Sequence, residues 1–278
     1  MASTALLQPP TTPARALAIS QKAPSFFASQ RTNLPYPFTL LSESQAKWQT
    51  YENMFLACLR TGDNDSAYVC LEGLTTRFGK LNERVMAMQG LYQEATASDE
   101  DALTEVLSQY DSILEGDPTI FAIRKRRAAL LRSMGRTNDA ITALTELLDA
   151  SPTDAEAWAE LADVYLTKGV YEQAVFCLEE VLLVTPNAWN IHARLGEVLY
   201  LNASNAEGAE QVKGLSESLR RFCRSIELCD DYLRGYYGLK LVSFVKTSSA
   251  LKSMLTHYPD LVPTNSPAWI KPEAAEVI

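Results

Sequence analysis

The sequence predicts an all-α protein, a right-handed superhelical solenoid built from antiparallel helix pairs. Three observations predict it. From Glu43 onward, apolar residues recur at intervals of three and four, without sustained period-two alternation. Short turns holding Gly, Asn and Asp punctuate those stretches at helix length. The apolar pattern itself returns every 34 residues.

The stretch AWAELADVYLTKGVYEQAVFCLEEVLLVTPNAW, residues 157–189, carries that repeat most fully. Trp158, Leu161, Ala162 and Tyr165 form a first helix, Ala174, Leu178 and Val181 a second, and Pro186 closes the unit. This is the tetratricopeptide pattern. One period earlier stand Ala128, Leu131, Ala140, Leu144, Leu147 and Pro152, and Gly135 and Gly169 mark equivalent turns. The best repeats are thus 121–154 and 155–188. Small residues at Ala128, Ala162, Ala140 and Ala174 let paired helices approach, while Trp158, Tyr165 and Leu178 fill the gap between neighbours. Proline ends each second helix, because the residue before it avoids helical geometry. No hairpin of this kind buries its apolar face alone, so about six must stack.

Taken in order, the elements are these. Residues 1–42 hold six prolines, three basic residues and no acid. An organelle transit peptide and a disordered leader both fit that composition, and proline spoils the long amphipathic helix of a mitochondrial presequence, so disorder is expected. The repeat body is assigned to 43–258. Tyr51, Met54, Phe55 and Cys58 mark a helix over 44–60, and Ala67, Leu71 and Leu74 one over 64–78. Met86 and Gly90 belong to a helix over 82–97, followed by an acidic insertion at Asp99–Asp101. Val106, Tyr110 and Ile113 place a helix over 101–115. Further helices are expected over 119–134, 137–150, 154–168, 171–184 and 188–201. After an insertion at 202–214 come 214–229, 232–246 and 248–257. The tail, 259–278, is broken by prolines and reads as extended.

Composition narrows the function. The formal net charge is −9; the head contributes +3, so the remainder carries −12, a poor match for phosphate backbones. No nucleic acid is expected as partner. Five cysteines, Cys58, Cys70, Cys177, Cys223 and Cys229, form no Cys-x-x-Cys, which fits a reducing compartment. Two sequons, at Asn64 and Asn202, are short enough to arise by chance. No apolar run reaches the roughly 18–20 residues of a membrane span, so any membrane contact would be indirect. His192 and His257 lie far apart, no glycine-rich phosphate loop occurs, and no base neighbours Cys177 or Cys223. Neither enzyme chemistry, a metal nor a cofactor is expected.

The sharpest charge feature is Arg124-Lys125-Arg126-Arg127, read as projecting from a first helix toward acidic partner surfaces. In such repeats the first-helix positions 2, 5, 9 and 12 face a groove. They give Lys125 and Arg132, then Glu156 and Asp163, then Asn190, Glu197 and Tyr200. The groove would change sign along its length, suiting a folded partner. A free cytosolic adaptor or co-chaperone that grips peptide C-termini is the alternative. Its carboxylate clamp wants Lys at Lys125 and Asn where Ala129 stands, and Asp163 and Glu197 would repel the carboxylate.

YDSILEGDP (110–118) leading into IRKRRAALL (123–131), AWAELADVYL (157–166) with YEQAVFCLEEVLL (171–183), and RFCRSIELC (221–229) with GYYGLKL (235–241) together resemble a known family. It is that of subunit 2 of the ER membrane protein complex, also called tetratricopeptide repeat protein 35. The resemblance runs over roughly residues 45–245. It implies a non-catalytic scaffold on the cytosolic face of the endoplasmic reticulum, peripheral to the membrane. The subunit would hold the cytosolic cap of an insertase that places transmembrane segments and tail anchors into the bilayer. Implied partners are the cytosolic parts of membrane-embedded subunits and a soluble cap subunit. No contact residue is carried over from the family.

Overall fold

The computed structural model describes residues 9–30 and 45–244. Every regular element among them is a helix, and they fall into two compact units divided after Arg136.

The first unit holds α1 (Pro13–Ser20), α2 (Ala23–Gln30), α3 (Gln45–Thr61), α4 (Asn64–Phe78), α5 (Glu83–Thr96), α6 (Glu100–Gly116) and α7 (Phe121–Ser133). Helix α3 folds back on α4 through Gly62, whose φ of 77° lies where a side chain would be strained. Asp63 accepts the Ser66 amide at 3.1 Å and caps α4. Helices α5, α6 and α7 pack on one another.

One expectation fails here. Residues 13–30, placed in a disordered head, are helical. Pro13 occupies a first-turn position where its missing N–H is not needed, and Thr12 caps the helix. Ala16, Ile19 and Ala23 are buried in one cluster with Met54, Phe55 and Cys58, and α1 lies on α3. Arg60 donates to the Pro10 carbonyl, and Thr61 bonds Ser20 at 3.0 Å. Composition hid a short apolar stripe that finds its partner about 40 residues away. Residues 1–8 and 31–42 of the head lie outside the described residues. The helix expected over 101–115 opens within the acidic residues: Asp99 accepts the Ala102 amide at 2.8 Å, and Glu100 and Asp101 sit in the first turn, where the helix dipole favours them.

The second unit holds α8 (Thr137–Ala150), α9 (Ala155–Thr167), α10 (Tyr171–Val184), α11 (Trp189–Ser204), α12 (Gly208–Leu228) and α13 (Leu233–Phe244). Each packs on the next, and α11 also touches α13. Ala162, Ala174 and Leu178 are buried, as are Ala128 and Ala140 on either side of the division. The expected insertion at 202–214 is mostly helix. Helix α11 runs on to Ser204, and α12 starts at Gly208. Ala203 is buried, and a Cβ at Gly214 would lie 2.8 Å from its Cβ, so the two extensions pack through small residues. Phe222 anchors this region: its ring meets Gly196 of α11 on one side and Gly238 of α13 on the other. The expected helix at 248–257, the end of 232–246 and the tail at 259–278 lie outside the described residues.

Candidate functional site

The basic run does not project as a free patch, which corrects the expectation. Arg124 Nε donates to the Pro118 carbonyl at 2.6 Å, and Arg127 Nε pairs with Asp111 at 2.6 Å. Arg126 pairs with Glu94 of α5, which also accepts the Tyr110 hydroxyl at 2.5 Å. Burial pulls the Arg126 guanidinium down, but its bonds to Glu94 and Tyr110 outweigh that and raise it. Burial and the Glu94 carboxylate push the Tyr110 phenol well up. Lys125 is half-buried and also engaged within the chain. Arg126 and Arg127 of α7 are thus given over to holding α5 and α6, and Arg132 stands exposed at the helix end.

On the second unit the expected groove residues Asp163 and Glu197 come together. Arg194 of α11 joins them, with Nη2 2.9 Å from Asp163 and Nη1 2.9 Å from Glu197. Arg234 of α13 adds a longer contact to Glu197 at 3.6 Å. Burial lowers the Arg194 guanidinium, and its two carboxylates more than restore it. Asn190 is exposed at the start of the same helix, and Tyr200 is half-buried against the α11–α13 cluster. Glu156 is exposed at the start of α9. The row is therefore a linked acid–base–acid arrangement across α9, α11 and α13, in which Arg194 holds both carboxylates. Sequence reasoning passed over Arg194 because it sits between groove positions rather than on one.

A second feature was not anticipated. An open groove of about 660 Å³ lies among α8, α9 and α10. Leu148, Trp158, Leu161, Tyr165 and Phe176 give it apolar walls, and Asp149 and Glu172 stand among its lining residues. Trp158 and Phe176 meet edge to face at 5.9 Å. Trp158 and Tyr165 were expected to fill the space between repeats; both are only half-buried and line this groove instead. Asp163 is two residues from Leu161, about 200° round the helix, so row and groove occupy different faces of α9.

Three chemically unlike residues play one part at the 34-residue spacing. Arg124 Nε, Trp158 Nε1 and His192 Nε2 each approach the carbonyl of the closing proline six residues earlier. The distances are 2.6 Å to Pro118, 2.8 Å to Pro152 and 3.0 Å to Pro186. A carbonyl can only accept, so His192 carries its proton on Nε2. Its Nδ1 is buried without a partner among the described residues. Burial lowers the ring's affinity for a second proton, the Pro186 bond and Glu227 oppose that, Arg221 and Arg224 add to it, and the net effect is a lowering. The requirement is one N–H donor, which a search for Trp cannot find.

Burial pushes the Cys58 thiol up to about 11 and those of Cys177 and Cys223 up to about 12, and raises Cys70 further. These groups stay protonated at neutral pH and behave as small apolar side chains. Among the described residues, no helix is long and apolar enough to cross a membrane, and no cluster of three or more His, Cys, Asp or Glu could hold a metal ion.

Comparison with known proteins adds the following. The model of a family described as the EMC2 TPR-like repeat domain matches residues 74–213, half of the chain. TPR repeat protein oca3 of Schizosaccharomyces pombe is 42% identical over 193 residues, 69% of this chain and 64% of that protein. ER membrane protein complex subunit 2-A of Xenopus laevis is 35% identical over 196 residues, 70% of this chain and 62% of that protein. Subunit 2 of the same complex in Saccharomyces cerevisiae is 26% identical over 197 residues, 69% and 68% of the two chains. The match thus spans a little under two thirds of the first two relatives.

Proposed function

Since this chain belongs to the tetratricopeptide family of ER membrane protein complex subunit 2, we propose that it is a non-catalytic scaffold subunit of that complex. It sits peripherally on the cytosolic face of the endoplasmic reticulum and organises the cytosolic cap of an insertase for transmembrane segments and tail-anchored proteins. Its partners are cytosolic parts of membrane-embedded subunits and a soluble cap subunit. The repeat body spans 43–258 in this reading, and Lys125, Arg132, Asp163, Asn190, Glu197 and Tyr200 contribute partner contacts.

The family match over residues 74–213 carries the proposal. Three physical observations support it. The described helices include none able to span a bilayer, which is consistent with a peripheral subunit. The buried thiols suit a reducing compartment. The Asp163–Arg194–Glu197 row presents paired charges on rigid helices, which orient a partner more than they add affinity.

Fractionation tests it. The tagged full chain should sediment with microsomes, leave them in alkaline carbonate, and become short-lived when the membrane-embedded subunits are depleted. Full abundance in the cytosolic supernatant, unaffected by that depletion, would refute the proposal.

A further inference from the structure

The geometry points to the α8–α10 groove as a docking site for a basic amphipathic segment of a partner, one apolar side chain seated against the Trp158–Phe176 pair and lysines or arginines on Asp149 and Glu172. Three observations converge on it. First, the groove is apolar and open: Phe176, on its wall, is 55% exposed, and Leu183, two turns along the same face of α10, is 75% exposed. A large aromatic left this open on a well-packed helix pair is an anchor without its counterpart.

Second, charge selects the occupant. Residues 137–184 contain ten acids and one base, Lys168, a net −9 that equals the formal charge of the whole chain. The rest of the protein is neutral in sum. Lys168 is held by the Asn138 side chain at 2.5 Å, beyond the groove's lining. Among the described residues neither Asp149 nor Glu172 forms an ion pair, unlike Asp163, Glu179 and Glu197, which Arg194 and Arg221 engage. Two unpaired carboxylates beside an apolar trough, in a strongly negative block, attract cationic segments and repel acidic ones.

Third, the groove is separate from the Asp163–Arg194–Glu197 row, on another face of α9. A scaffold can therefore hold two partners at once on this unit. The inference rests on the scaffold reading only for where the segment comes from.

Titrating the purified full-length chain with a fluorescein-labelled leucine–phenylalanine–lysine helical peptide of about 18 residues tests it. A glutamate-for-lysine peptide serves as comparison, and anisotropy is the readout. The lysine peptide should bind at low salt. Asp149→Lys with Glu172→Lys should weaken it at least about tenfold, and Phe176→Ala about fivefold or more. Glu115→Lys with Asp230→Lys, which changes net charge equally but elsewhere, should leave it within about twofold. Equal weakening by both charge pairs, equal binding of the glutamate peptide, or a chain dimer abolished by Phe176→Ala would each overturn the assignment. Membrane fractionation is independent of all three, so failure here leaves the complex-subunit reading standing.

Discussion

Replacing Gly90 by alanine examines how the first unit is held together. In an exposed helix interior that change stabilises by about 1 kcal/mol, because glycine is the poorer helix former. Here the added Cβ would overlap the Tyr110 hydroxyl and lie 2.6 Å from Cζ, and Tyr110 is 1% exposed. The ring has nowhere to retreat within α5–α7. Overpacking of this kind costs about 1–3 kcal/mol. Moving the ring also breaks the bond from its hydroxyl to Glu94, worth about 1.5–3 kcal/mol for a charged acceptor. Net destabilisation should be about 2–4 kcal/mol, or about 1–2 M in urea midpoint. Urea unfolding followed by circular dichroism reads the midpoint, with amide exchange in α5–α7 locating the loss. In a Tyr110→Leu background the obstruction is gone, so the same glycine change should become neutral or stabilising. Stabilisation by Gly90→Ala alone, or an equal cost in both backgrounds, would refute the reasoning.

Other substitutions probe the second unit. Phe222→Ala should cost about 3–5 kcal/mol by emptying the space between Gly196 and Gly238; Gly238→Ala should destabilise alone yet be tolerated better when Phe222 is leucine, both read from urea midpoints. Trp158→Phe keeps the apolar wall but loses the bond to the Pro152 carbonyl, for about 0.5–1.5 kcal/mol in the same assay. His192 should make the fold acid-sensitive. Its folded proton affinity lies below the ordinary value of 6.5, so from there down to the folded value the unfolded chain binds more protons and stability falls with pH. Above about pH 7 both states are neutral and the contribution vanishes. Midpoints at pH 7.5, 6 and 5 should fall less steeply in His192→Gln; identical slopes would remove His192 as the cause.

Much of the fold was legible because the repeat fixes a strict apolar period. Ala162, Ala174 and Leu178 are buried where the spacing put them, and Gly135 and Gly169 have φ of 72° and 73° at the turns it marked. What escaped depends on contacts distant in sequence. Residues 13–30 read as a disordered head by composition until α3 supplies a surface for Ala16, Ile19 and Ala23. The 202–214 segment reads as an insertion in the period, and that it lengthens two helices shows only once Ala203 faces Gly214. The basic run reads as a patch until Glu94 and Asp111 are seen beside it. For the site, repeat positions singled out Asp163 and Glu197, but not Arg194, which pairs with both. The groove was hidden for a plainer reason: Trp158 and Tyr165 are packing residues in the motif, and only the structure leaves them partly uncovered beside Phe176.

The central claim is that these helix pairs exist to hold other polypeptides of one membrane complex. Affinity purification of the tagged full-length chain from detergent-solubilised membranes, with mass-spectrometric identification of what accompanies it, tests that most directly. Recovery of a stoichiometric set that includes membrane-embedded subunits of the ER membrane protein complex is the predicted result. Recovery of the chain alone, or only with cytosolic chaperones, would contradict it.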